Sequence, residues 1–389
     1  MNAFLTDMAA SLPEAAETGF ALTGPLGGLR TGGQVRRVAS GALDSLGDRV
    51  AAGFAAAGPQ AVIGGALPFD RDGQDCLWIS SRRRPDRLSI VPQRPARALS
   101  LRPEPAPAGY AQIVAKALRV MEQDAGRADS LRKIVLARTL HYRAAEPIPV
   151  EGLRARLAED PAVTAFRVAL PGVSGPRWLV GGSPELLVQK TGARVVSNPL
   201  AGSSPRRFDP VSDAQSCSAL ASSEKDRREH AMVVEFILDT LSPWCRNVSA
   251  PQGTGLTSTR SMWHLGTRIE GDLKDPETPS ALLAAALHPT PAVCGLPAAR
   301  ANDLIHQLEP VDREFYAGAV GWCAADGDGA WYVAIRCADI SGDCARLYAG
   351  AGIVPGSDPA AETAETGNKF AAMLAALGLP ADTALQLND

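Results

Sequence analysis

The sequence lacks any Cys-x-x-Cys pair, although it has seven cysteines, and its five histidines show no His-x-x-x-His spacing. An odd number of scattered thiols suits reduced side chains in the cytoplasm better than a disulfide framework, and without those spacings catalytic or structural zinc finds no support. No apolar run approaches the roughly 18 residues of a membrane span, so no membrane partner is expected. The first twenty residues lack a basic region followed by an apolar core, which argues against a secretory signal. Charge of one sign is also missing: 39 Lys and Arg face 42 Asp and Glu, a formal net charge of -3. That balance removes the general attraction to phosphate backbones and argues against a nucleic-acid partner. There is no Gly-x-Ser-x-Gly elbow, no Walker lysine loop and no Rossmann glycine fingerprint.

What is present is a 389-residue chain with 46% hydrophobic residues and enough Gly (37) and Pro (30) for many turns. Residues 1–110 read as short strands and loops, with an Arg- and Pro-rich stretch over 81–109 that reads as a solvated connection. From Tyr110 the signals sharpen. Ala111 to Gly126 carries helical spacing through Ile113, Ala117 and Val120. Leu131–Leu140 is a strand with Lys133, Val135 and Ala137 on one face and Ile134 and Leu136 on the other. Trp178–Val188 and Ala193–Pro199 suggest a hairpin turning near Thr191-Gly192. Tyr316–Ala324, Ala330–Ile340 and Arg346–Val354 suggest a meander. Strands joined by tight turns, with a few helices between them, predict an α+β fold.

Charge appears where apolar residues are expected. Asp226, Glu229 and Val233 share one stripe of a helix opening near Ser222-Ser223, and the stripe continues to Phe236, so Glu229 should face inward. A second helix, with Asp358 as N-cap and Pro359 at its first position, aligns Glu362, Glu365 and Lys369. Carboxylates on two such helices can meet and hold a hard cation such as Mg²⁺; the alternative is that they only complement helix dipoles. Lys133, midway along an apolar strand, either snorkels to an edge or lies desolvated, and the strand alone favours the edge. Arg336 sits between Ala334 and Ala338 with room for a planar carboxylate, or else pairs with a nearby Asp. Gly181-Gly-Ser-Pro-Glu185 delivers Glu185 from a tight turn. Tyr348-Ala-Gly-Ala-Gly352 offers small residues where amides can approach an anion.

Several motifs, in this order, resemble the chorismate-utilising enzymes and, among them, isochorismate synthases of the siderophore type. They are Lys133-Ile-Val-Leu-Ala-Arg138, Gly182-Ser-Pro-Glu185, Pro199-Leu-Ala-Gly-Ser203, Ser223-Glu-Lys-Asp-Arg-Arg-Glu-His230 and Trp263-His-Leu-Gly-Thr267. The series runs on through His288-Pro-Thr-Pro-Ala292, Phe315-Tyr-Ala-Gly318, Ile335-Arg336, Ala349-Gly-Ala-Gly-Ile353 and Glu362-Thr-Ala-Glu-Thr366. The resemblance covers about residues 110–375. It implies one large domain of the anthranilate synthase component I type, with two packed, mostly antiparallel sheets flanked by helices. Residues 1–105 would form the early part of the sheets and 106–389 the catalytic region.

The resemblance also implies roles. Lys133 stands where water-adding members carry a base, and Ala201 where aminodeoxychorismate synthases carry a nucleophilic lysine. Lys133 would deprotonate a water attacking C2 of chorismate, and Glu185 would protonate the departing C4 hydroxyl. Glu229 and Glu365 would hold Mg²⁺, with Asp226 and Glu362 behind them. Arg336, Tyr316, Gly350 and Gly352 would hold the enolpyruvyl carboxylate, and Lys369 would add charge near the ring carboxylate. Gly202, Ser203 and His264 would complete the substrate site. The implied activity is Mg²⁺-dependent formation of isochorismate for siderophore (2,3-dihydroxybenzoate) or menaquinone synthesis, by a cytoplasmic monomer. The alternatives are a salicylate synthase and a silent chorismate-binding protein.

Overall fold

The strand Lys133–Ala144 organises the fold. Its twelve residues contain Ile, Val, Leu, Thr and Tyr and no Gly or Pro, a composition that suits a long buried strand. In the computed structural model, which describes residues 19–86, 88, 94–173 and 175–387, this strand pairs with Cys344–Ile353 along most of its length. Its other edge is covered by Ala98–Glu104 and by Gly295–Leu296. The N-terminal stretch read against a secretory signal, residues 1–20, lies outside the described residues except for Gly19 and Phe20.

From this hub an antiparallel ladder continues outward. Cys344–Ile353 pairs with Cys337–Ser341, then Arg177–Ser183, Thr164–Leu170 and Phe20–Gly24 follow. The path goes on through Gly27–Arg37, Cys76–Arg84, Val62–Leu67, Ala319–Ala324 and Gly329–Val333. It ends with Leu186–Thr191, Arg194–Asn198, Ile269–Leu273 and Cys245–Ser249. The ladder doubles back on itself: Phe166 and Leu179 from one half and Val188, Val195 and Trp331 from the other belong to one buried core. A second core lies between the first half and the helices Val150–Leu157 and Pro359–Ala376, with Leu140, Leu153, Val180, Leu347, Phe370 and Leu374. A separate three-stranded sheet joins Leu200–Pro205, Met262–Thr267 and Thr254–Ser258. This is the α+β architecture of two packed antiparallel layers flanked by helices.

The chain passes between the two layers twice at one place. Arg177–Ser183 lies in the first layer, and Leu186–Thr191, three residues on, in the second. Gly329–Val333 belongs to the second layer and Cys337–Ser341 to the first. The two crossings are tied together: the Val333 amide donates to the Glu185 carbonyl (3.1 Å) and the Gly182 amide to the Arg336 carbonyl (3.1 Å). Glu185 and Arg336 therefore stand side by side where the layers part.

Four local expectations change. Ala330–Ile340 is not one strand: it breaks at Arg336, which adopts φ 51°, because the chain must change layers there. The hairpin turns at Gly192 as expected, but Trp178–Val188 is itself divided by the first crossing. The Arg- and Pro-rich stretch is not only a connection, since Ser81–Arg84 ends a strand paired with Gly27–Arg37 and Ala98–Glu104 forms another. Lys133 does not snorkel to an edge: it pairs with Leu296, the next residue, Ile134, pairs with Ile353 on the other side, and Lys133 is fully buried.

Candidate active site

Where the layers part, a cavity of about 670 Å³, including its open mouth, is lined by residues from both crossings and both acidic helices. On its wall are Glu185, Gly202, Ser203, Glu229, His264, Tyr316, Arg336, Gly350, Gly352, Glu365 and Lys369. Lys133, Asp226 and Glu362 are not on the wall but directly behind it. The apolar lining of Val135, Pro184, Leu200, Ala292, Val293 and Ile335 was given no role from the sequence, nor was the ring of Tyr348, which stacks on Tyr316 with centroids 4.8 Å apart. All but Val293 lie on the Lys133 face or within the motifs quoted above, but nothing local marked them as walls.

The helix Glu224–Leu241 starts where Ser223 accepts a hydrogen bond from the Asp226 amide, and this fixes Asp226 and Glu229 on its inner side. The helix Pro359–Ala376 is capped by Asp358, which accepts from the Ala361 amide at 2.8 Å. Glu229, Glu362 and Glu365 on these helices are each matched with a lysine. Lys133 Nζ lies 3.0 Å from Glu229 Oε1 and makes no hydrogen bond besides this ion-pair contact. Lys225 pairs with Glu362 and Lys369 with Glu365, while Ser203 Oγ donates to Glu365 at 3.0 Å. Lys225 was not anticipated as a partner, because pairing across two helices is not written in the spacing of either one.

The carboxylates still act on one another. Burial first, and then Glu229 and Glu365, raise the pKa of Asp226. Burial and then Glu365 raise that of Glu362. At Glu365 burial pushes the same way, but Lys369, Ser203 and Lys225 outweigh it and hold the pKa below the usual range. Among the described residues, no three His, Cys, Asp or Glu side chains are grouped to hold a metal. Even so, the donors that reach or back the wall are hard carboxylate oxygens that repel each other, a set that fits a hard divalent cation.

The glycines of Ala349-Gly-Ala-Gly-Ile353 serve a purpose the sequence reading had not given them. A Cβ on Gly352 would collide with the Glu229 carboxylate, and one on Gly350 would crowd the Tyr316 hydroxyl. Past Leu347 this strand loses its Cys337–Ser341 neighbour, so one edge of Tyr348–Ile353 has no strand partner among the described residues. Lys369 Nζ reaches that edge, donating to the Gly350 carbonyl at 2.9 Å. Gly202, at φ 76°, passes so close to Asp226 that a side chain there would press on it.

Glu185 is 3% exposed, and burial pushes its pKa up to about 7, against a backbone hydrogen bond at Leu200 and the charges of Lys133, Arg336 and Lys369. A carboxyl so placed can hold a proton near neutrality and give it up. His264 is pushed down to about 3 by burial, then by Arg336 and Lys369, so it is neutral. One of its ring nitrogens bonds the Gly202 backbone, and Nε2 is buried without a partner on the cavity wall. Burial pulls the Arg336 pKa down, opposed by Tyr316, Glu365 and Glu185; no carboxylate among the described residues forms an ion pair with it. The site thus offers one proton donor, one neutral imidazole, one cation without a carboxylate partner (Arg336) and a second, Lys369, shared with Glu365.

Residues 78–378 match the model of the family described as chorismate binding enzyme. The chain is 44% identical over 291 residues to isochorismate synthase DhbC of Bacillus subtilis, covering 74% of this chain and 72% of that one. It is 38% identical over 331 residues to isochorismate synthase EntC of Escherichia coli K12, covering 82% and 81%. The crystal structure of a putative 2,3-dihydroxybenzoate-specific isochorismate synthase, DhbC from Bacillus anthracis, superposes with a TM-score of 0.87 at 39% identity, over 94% of this chain and 97% of that one. Anthranilate synthase component I from Streptococcus pneumoniae, at 22% identity and a TM-score of 0.63, shares the fold. The chain belongs to the chorismate-binding enzyme family, within its isochorismate synthase group.

Proposed function

We propose that this chain converts chorismate to isochorismate, adding water at C2 and releasing the C4 oxygen as water. The observation that carries this reading is a single cavity lined by a buried, protonatable Glu185 and by Glu229, with Lys133 paired to Glu229 directly behind the wall. Lys133 removes a proton from the water that bonds to C2. The ring double bonds shift, the C4–O bond breaks, and Glu185 supplies the proton that lets this oxygen leave. One water enters and one leaves, so the reaction is an isomerisation. An acid and a base of separate environment in one cavity suit such an exchange.

The substrate is a dianion. Arg336, Tyr316 and the unpaired edge at Gly350 and Gly352 hold the enolpyruvyl carboxylate, and Lys369 stands near the ring carboxylate. Neutral His264 offers Nε2 to a substrate hydroxyl, while Gly202 and Ser203 close that wall. Glu229 and Glu365 would hold Mg²⁺, with Asp226 and Glu362 supporting them, and the ion when bound would supply positive charge for the ring carboxylate. Similarity to the DhbC proteins supports supply of a 2,3-dihydroxybenzoate siderophore route. Residues 20–104 supply strands to the same ladder as Lys133, which supports one domain throughout.

Incubating the protein with chorismate and Mg²⁺ and separating the products by chromatography tests the reading. Isochorismate alone is expected. Salicylate with pyruvate would make it a salicylate synthase, and binding without turnover would make it a chorismate-binding protein.

A further inference from the structure

The even-numbered face of the Lys133 strand carries a charge that the chemistry above does not use. Arg138 is 2% exposed, and no Asp or Glu among the described residues lies within ion-pair distance of it. Its Nε donates to Thr366 Oγ1 at 2.7 Å, and its Nη1 is buried without a hydrogen-bond partner. The guanidinium lies over the rings of Phe370 (5.5 Å) and Tyr110 (5.9 Å). Burial depresses its pKa. A cation held this way is costly, and a well-packed apolar side chain of similar volume would serve stability at least as well.

What the cation touches suggests its role. Thr366 gives its own proton to the Thr363 carbonyl (2.7 Å), so its lone pairs are free to accept from Arg138. Thr363 in turn donates to the Pro359 carbonyl (2.7 Å). The bond therefore grips the opening turns of the helix Pro359–Ala376, where Glu362 and Glu365 stand. The other end of the grip is five residues from Lys133 on the same strand. We propose that Arg138, through Thr366, is a positioning residue that sets the helix carrying Glu362, Glu365 and Lys369 against the strand carrying the base. This inference rests on the function proposed above.

The test compares Arg138→Met, Thr366→Val and Thr366→Ser with the wild type. It reads thermal midpoint, Mg²⁺ binding by calorimetry in the absence of chorismate, and kcat and KM for chorismate. Arg138→Met should keep or raise the midpoint, yet weaken Mg²⁺ binding and lower kcat by roughly 10- to 100-fold each, as loss of an outer support of a metal site does. Thr366→Val should move the same quantities in the same direction, and Thr366→Ser, which retains the acceptor, should restore them. If Arg138→Met fails to fold, Thr366→Val decides. Wild-type Mg²⁺ binding and kcat in either folded variant, beside an active wild type, overturn the positioning role alone. A wild type inert toward chorismate overturns the functional reading, and this inference with it.

Discussion

The face of the sheet that carries Lys133 is charged at both ends, and the two ends behave differently. At the outer end His141 pairs with Glu104 at 2.5 Å, Arg143 with Asp343 at 3.3 Å, and Arg177 with both Glu314 and Asp339. These groups are wholly or partly open to water, which carries most of their solvation and leaves such pairs with little net effect. At the inner end Lys133 and Glu229 are 0% and 10% exposed, and among the described residues Arg336 has no carboxylate partner and one nitrogen of His264 is unbonded. Charge alone does not mark a site. Charge that has been buried and left with unspent bonding capacity does, because the fold accepts a cost there that a ligand can relieve.

This contrast can be broken or sharpened from the inner end outward. Lys133→Ala and Glu185→Gln should each lower kcat about 10²- to 10⁴-fold, the range for a lost general acid or base, while chorismate still binds; steady-state kinetics with a binding titration checks both. Gly352→Ala puts a methyl group into the Glu229 carboxylate and should cost roughly 100-fold in kcat/KM through displacement of that group. The pH profile comes next. Glu185 must be protonated to act, and its pKa is raised to about 7, so it should set the alkaline limb of the profile, with kcat/KM falling about tenfold per unit above that pH. A profile flat to pH 9 would remove Glu185 as the acid. At the outer end, Arg143→Ala should change neither kcat nor the thermal midpoint measurably.

Which of these residues can be read from the sequence follows the same division. Glu229 declared itself, since a carboxylate continuing a stripe into Val233 and Phe236 has to face inward, and it does. The strand and the two capped helices were legible because alternation, spacing and N-caps are local properties. Lys133 was misjudged: whether a strand is central or at an edge depends on Cys344–Ile353 and Gly295–Leu296, far away in the chain. The break at Arg336 was hidden for a similar reason, because a continuous apolar run says nothing of a change of layer. Gly352 was recognised as a place needing a small residue, but the neighbour that needs the room, Glu229, appears only in three dimensions. The pairing of Lys225 with Glu362 and the seat of Arg138 on Thr366 are likewise products of packing.

The central claim is that the oxygen on C2 of the product comes from water. Turnover of chorismate with Mg²⁺ in ¹⁸O-labelled water, followed by mass spectrometry of the isolated product, tests it. Isochorismate carrying one ¹⁸O at C2 is the predicted result; unlabelled isochorismate, or no isochorismate at all, would contradict it.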